Sequence, residues 1–180
     1  MLITLEGLVI ARREFGDSSV FIDVLTKEFG VIEVTAKGVK RLSSPLAQGT
    51  SLFAYCDFCL NRNERTLRYT LNSATSKLSF HGLSSDLRCL ALAAYFAEVV
   101  AFTATPEQDS GELLRAVLMA LYDLCRDKYT PPQIKAHFEV RLARILGFGD
   151  TAECRGTPES HLLYHLDKES FKTLEYYKSL

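Results

Sequence analysis

The spacing of apolar and polar positions changes period near residue 80. Before that point it follows strands. Leu8–Ala11 is a short apolar run that reads as a buried strand. Glu14–Ser19 is a turn cluster, and Val20–Thr26 is rich in β-branched residues. Glu28-Phe29-Gly30 predicts a hairpin connection, with Val31–Ala36 as the returning strand. Gly38–Thr50 has Gly, Ser, Pro and Gln without a period and reads as a loop. Leu52–Leu60 is a fourth apolar run, followed by a turn at Asn61–Glu64. Arg65–Asn72 then alternates, with Leu67, Tyr69 and Leu71 against Thr66, Arg68, Thr70 and Asn72, as a half-buried antiparallel strand does. Five short strands predict a small closed barrel, which leaves no exposed edge. The pattern alone leaves both an OB-fold and an SH3-like barrel open.

After Gly82 the period becomes helical. Ser84 or Ser85 is placed to cap a helix over 86–103, with Leu87, Leu90, Ala91, Ala94 and Tyr95 on one stripe. Pro106 separates it from a second helix over 110–127, with Leu113, Leu114, Val117, Leu118, Leu121 and Leu124 inward. Thr130-Pro131-Pro132-Gln133 is a capping box with proline at the first helical position. That helix carries Ile134, Phe138, Leu142 and Ile145 inward and stops at Gly147. Beyond residue 150 the pattern is fainter: a strand over Leu162–Leu166 and a short helix after Ser170. The organisation predicted is α+β, with a β-barrel over 1–80 and a helical domain over 81–180.

Composition excludes more than it selects. Of 180 residues, 47% are apolar and 24% charged, a globular balance rather than a disordered one. No apolar stretch approaches the roughly 20 residues of a membrane span, and the start lacks the pattern of a secretory leader. Five scattered cysteines suit a reducing cytoplasm. The net charge of −1 hides a basic segment. Over 34–80, Lys37, Lys40, Arg41, Arg62, Arg65, Arg68 and Lys77 face only Asp57 and Glu64.

Catalytic motifs are missing: Gly-x-Ser-x-Gly, His-Glu-x-x-His, Gly-x-Gly-x-x-Gly and a Walker loop do not occur. Cys56 and Cys59 have CxxC spacing, but residues three apart on a strand point to opposite faces, so they read as packing residues. Cys89 and Cys125 read as packed within helices. Cys154, His161 and His165 are the better metal candidates, set against a simply packed pair of histidines. No cofactor is expected. The basic segment points to a polyanion instead. Asn61, Asn63 and Arg65 have the reach to contact phosphates, and Phe53, Tyr55, Phe58 and Tyr69 are interleaved aromatics, the composition of a groove for single-stranded nucleic acid. The competing reading is that these aromatics are core and the lysines merely solvated.

Glu6–Ser19, Leu25–Gly30 with Ala36-Lys37-Gly38-Val39-Lys40-Arg41, and Phe138–Gly149, taken in this order over 6–150, resemble the RecO family of bacterial recombination mediators. The resemblance implies an OB-fold followed by a helical domain, and no catalytic chemistry. It implies binding of single- and double-stranded DNA, annealing of complementary strands, and RecR as a partner. Binding of the C-terminal tail of single-strand binding protein and aid to RecA loading are also implied, in the cytoplasm at the nucleoid. By position, Lys37, Lys40 and Arg41 match the Ala-Lys-Gly-x-x-Arg motif, Arg12 and Arg13 the basic end of the first strand, and Arg62 and Arg65 a basic turn. For an acidic, aromatic-ended tail, Lys135, Arg141 and Arg144 offer cations and Phe138 an apolar slot. The sequence departs from the family after Gly149: Cys154 fills one slot of a four-cysteine zinc site, but Thr157 stands three later, so no such zinc is expected. The family chain also runs some tens of residues further. An adaptor that binds the tail with little DNA binding, and an RNA-binding OB protein, are the alternatives.

Overall fold

A computed structural model describes residues 1–41, 44–126, 128–149 and 156–180. Five strands come first: β1 (Leu2–Phe15), β2 (Ser19–Thr26), β3 (Gly30–Ala36), β4 (Tyr55–Arg62) and β5 (Tyr69–Leu78). They close into a barrel in the order β1-β2-β3-β5-β4, with β4 returning to β1. Every pairing is antiparallel except β3 with β5. This closure is the OB arrangement and decides against the SH3-like alternative.

Alternation builds the core. Val20, Ile22 and Val24 of β2, Ile32 and Val34 of β3, and Phe58 and Leu60 of β4 point inward. β1 serves two neighbours. Its first half pairs with β4 and its second half with β2, and the register slips between Val9 and Ala11. Gly7 sits where both ladders overlap. A Cβ there would lie 2.5 Å from Val24 Cγ1, so only glycine lets the chain pass.

The chain forms two compact units, Met1–Ser79 with Thr103–Leu114, and Phe80–Phe102 with Arg115–Leu180. In the first, residues after Thr103 clasp the β2–β3 hairpin. Ser110 N donates to Lys27 O (2.7 Å) and Glu107 N to Phe29 O (3.1 Å). Gly30 turns the hairpin at φ +65°, and a Cβ on it would meet Thr105 O at 2.5 Å. Gly30→Ala is therefore expected to cost about 2 kcal/mol of barrel stability, from the left-handed backbone and the overlap together. Urea unfolding followed by circular dichroism measures it, and an unchanged midpoint would contradict the clasp.

The helices are α1 (Leu87–Thr103), α2 (Gly111–Leu124), α3 (Pro131–Ile145), α4 (Pro158–His165) and α5 (Lys172–Ser179). The capping box at Thr130 forms as expected, with Gln133 Oε1 accepting from Thr130 N at 2.9 Å. The stop is a Schellman motif: Gly147 at φ +76°, with Phe148 N donating to Ala143 O and Gly147 N to Arg144 O.

Several expectations are corrected. β1 is far longer than Leu8–Ala11, because its charged outer half still pairs with β2. β4 begins at Tyr55 rather than Leu52, and the loop before it ends in a 3-10 turn at Gln48–Thr50. β5 starts at Tyr69, not Arg65. Leu67 is not an inward strand position but a turn residue at φ +53°, 54% exposed. Asp86, rather than Ser84 or Ser85, caps α1, accepting from Arg88 N at 2.8 Å. α1 is buried on several sides rather than one, including Leu92, Phe96 and Val99, while Leu87 is exposed. Leu162–Leu166, read as a strand, belongs to α4 and its cap. Cys125 lies just past α2 and is exposed.

Candidate nucleic-acid interface

An OB barrel presents ligands with the outer face of β2–β3 and with the loops joining β1 to β2 and β4 to β5. Because Val20, Ile22 and Val24 face in, Phe21 and Asp23 face out, and so do Val31, Glu33 and Thr35 of β3. Asp23 and Glu33 are direct cross-strand partners. Two carboxylates there repel. Arg13, opposite Phe21 on β1, answers both: its Nη2 lies 2.8 Å from Asp23 Oδ1 and 2.9 Å from Glu33 Oε2. Hydrogen bonding to Asp23, then its charge, then the bond to Glu33 raise the guanidinium pKa. Arg12 pairs with inward-facing Ile22, so the two arginines leave opposite faces of the β1–β2 ribbon.

Lys37, Lys40 and Arg41 follow β3 and reach the β1–β2 turn, where Lys40 N donates to Ser18 O. Lys40 Nζ lies 2.7 Å from Glu14 Oε2, and that bond holds the Glu14 carboxyl below its ordinary pKa. Lys37 and Arg41 are exposed.

The second loop, residues 63–68, is an Asx turn. Asn63 Oδ1 accepts from Arg65 N (2.9 Å) and Thr66 N (3.2 Å). The β4–β5 hairpin places Arg62 and Arg65 around a shallow depression with Met1, Asn61, Asn63, Glu64 and Thr70. Arg62 is mostly covered. Its guanidinium lies 5.7 Å from the Tyr69 ring, 5.9 Å from the Phe29 ring and 3.7 Å from Glu107 Oε1. Arg65 is exposed. The basic candidates thus fall into two groups, one at each loop.

The aromatic expectation is corrected. Phe53, Phe58 and Tyr69 are buried and Tyr55 is half-buried. The outward aromatics of the barrel face are Phe15 and Phe21, with ring centroids 4.3 Å apart. The parity of β2 was the signal that marked Phe21 as outward.

In the helical unit, Phe138 is 2% exposed and packs on Phe96, with centroids 4.2 Å apart. With Ile134 it also floors a shallow groove between α2 and α3, rimmed by Met119, Asp123, His137 and Arg141. Arg141 and Arg144 are exposed on α3. Lys135 does not face solvent as a free cation: its side chain is 12% exposed and lies 2.7 Å from Glu139 and 2.6 Å from Glu159. Glu139 is buried, accepts from Tyr95 Oη at 2.8 Å, and has its pKa raised by burial against the pull of Lys135. Glu159 also binds Lys178 at 2.6 Å. Although burial opposes it, the two lysines hold Glu159 below its ordinary value.

Cys56 is buried and Cys59 half-buried on β4, as opposite faces require. Cys154 lies outside the described residues. His161 and His165 stand one turn apart on α4 with ring centroids 4.6 Å apart, and His165 stacks on Phe148. Among the described residues no group of three or more His, Cys, Asp or Glu is arranged to hold a metal. Nor is any described helix long and apolar enough to cross a membrane.

Residues 1–80 match the family model for the N-terminal part of recombination protein O, and residues 84–173 match the model for its C-terminal part. The chain is similar to proteins named DNA repair protein RecO. That of Acetivibrio thermocellus is 33% identical over 142 residues, 79% of this chain and 56% of the relative. That of Alkaliphilus metalliredigens is 32% identical over 147 residues, 82% and 59%. That of Bacillus subtilis is 28% identical over 147 residues, 82% and 56%. The chain spans a little over half the length of these curated relatives.

Proposed function

The chain belongs to the RecO family, and from that premise we propose that it is a non-catalytic DNA-binding mediator of recombination and repair. The observation that carries the reading is the OB face set between two basic loops, with Lys37, Lys40 and Arg41 on one side and Arg62, Arg65 and Arg68 on the other. Phosphate contacts of this kind position a strand without reading its sequence. Annealing follows from the same chemistry. Cations that neutralise two phosphate chains let complementary strands approach, and no bond is made or broken. Arg12 and Arg13 extend the basic end of β1. Double-stranded DNA is held by its phosphates alone. RecR and RecA are the partners the family implies, in the cytoplasm.

Fluorescence anisotropy with a short labelled single strand tests this. Three to five phosphate contacts give a log–log salt slope of about −2 to −4. Complementary labelled strands should also anneal faster with protein than without. A slope near zero sinks the proposal, and tighter binding to RNA than to DNA of equal length redirects it.

One observation favours a second activity on the helical unit. The groove floored by Phe138 and Ile134, with Asp123 also in its lining, offers Arg141 and an apolar floor to an acidic, aromatic-ended peptide such as the tail of single-strand binding protein. Arg144 adds charge on the same helix. Lys135 serves this reading only indirectly, by holding α3 in place. Deleting the tail's last residues abolishes capture if the groove is the site.

A further inference from the structure

Two large rings stand outside the barrel core. Phe15 ends β1 and is 51% exposed. Its ring lies against that of half-buried Phe21, centroids 4.3 Å apart and planes tilted by 39°. Neither belongs to the cluster that fills the barrel, which closes around Val20, Ile22, Val34 and Phe58 without them. The barrel core therefore does not account for this pair.

The neighbours narrow what it can receive. Along the face, Phe21 is flanked by Arg13 on β1 and Thr35 on β3, and Phe15 is opposite Ser19. The pair is an apolar island in a polar surface, not the broad patch that a folded protein partner needs. Lys37 directly follows β3, and the arginines of residues 62–68 lie on the loop that flanks this face in an OB barrel. Three of the nearby carboxylates are answered within the unit: Asp23 and Glu33 by Arg13, Glu14 by Lys40. Asp17 in the turn and Glu64 on the 63–68 loop are the others. A small flat apolar surface beside cations fits planar rings strung on a phosphate chain.

We propose that Phe15 and Phe21 form a stacking platform for unpaired bases, and that this platform makes the barrel favour single strands over duplex. Bases in a duplex are already stacked on each other and do not reach it. The proposal rests on the DNA-binding reading above and adds the residues that tell the two forms of DNA apart.

The test uses the full chain and two labelled probes of equal length, oligothymidylate and an abasic strand with the same phosphates. The wild-type protein binds the thymidylate about tenfold or more tighter than the abasic strand, the range of one stacked base. Phe15→Ala removes that difference while leaving abasic binding and the salt slope unchanged. Phe15→Leu, which keeps bulk without a ring, behaves like Ala. Phe15→Trp keeps the preference, and since the chain has no tryptophan its emission reports the site alone and is quenched by thymidylate. The platform is overturned if Phe15→Leu binds as wild type, if Phe15→Ala weakens both probes equally, or if the tryptophan emission is unmoved on binding. Salt-sensitive binding without preference for bases defeats the platform only. Absence of binding to either probe at low salt defeats the DNA-binding reading with it.

Discussion

Lys135→Met is expected to lower the stability of the helical unit by about 3 kcal/mol at neutral pH, the cost of removing one member of a buried ion pair. Lys135 is the hinge of a chain of charges, with Glu139 at 2.7 Å and Glu159 at 2.6 Å. Methionine fills the volume but leaves Glu139, 1% exposed, with only the Tyr95 hydroxyl. The variant pair isolates the cause. Lys135→Met with Glu139→Gln recovers most of the loss, because the stranded charge is gone. An additive double variant contradicts the coupling. The pH dependence has a definite sign. Burial raises the folded pKa of Glu139 above the ordinary 4.5, so the native state takes up a proton first and this carboxyl's penalty shrinks as pH falls through that raised value. Glu159 is lowered, so its contribution is present above 4.5 and is lost only as pH falls through its folded value. The deficit of the variant should therefore narrow as pH falls from neutrality through that raised value. Denaturant titrations at several pH values measure it.

Changing Lys37, Lys40 and Arg41 together to Ala is expected to weaken single-strand binding roughly 25-fold at 0.1 M salt, counting about 0.7 of slope for each of two phosphate contacts. Two contacts are counted rather than three because Lys40 is already held by Glu14 at 2.7 Å. The slope should fall by about 1.4. A fall near 2.1 means that Lys40 leaves Glu14 for a phosphate. An unchanged slope moves the contacts to Arg62 and Arg65 across the face. Anisotropy titrations of the triple variant and of Lys40→Ala alone separate these results.

Much of the barrel and four of the helices, α1, α2, α3 and the short α5 after Ser170, are legible in the sequence for local reasons. β2 and β3 alternate cleanly, and Thr130–Gln133 and Gly147 carry their capping chemistry in the side chains and backbone of a few adjacent residues. The failures are where a local pattern imitates a different element. Leu67, Tyr69 and Leu71 keep strand period straight through a turn whose geometry is imposed by Asn63. The outer half of β1 is charged, yet pairs with β2 as fully as the apolar half pairs with β4. Lys135 and Glu139, four apart on a helix, have the spacing of a solvated surface pair. Only buried Tyr95 and part-buried Glu159 packed around them make the pair internal. For the candidate site, the basic segment was legible from charge alone. Which of the candidate cations are already engaged was not, because Arg13 meets Asp23 and Glu33 from β2 and β3, and Lys40 meets Glu14 from β1.

The arginine that bridges Asp23 and Glu33 has a kinetic consequence. A phosphate that reaches Arg13 displaces a carboxylate tethered a bond's length away, not an ion from bulk solution. That rival never diffuses off, so it retakes the guanidinium whenever the contact loosens. Such a site contributes little to salt dependence and shortens the dwell time of whatever it holds. If that surface binds DNA as proposed, a built-in competitor favours turnover over tight retention.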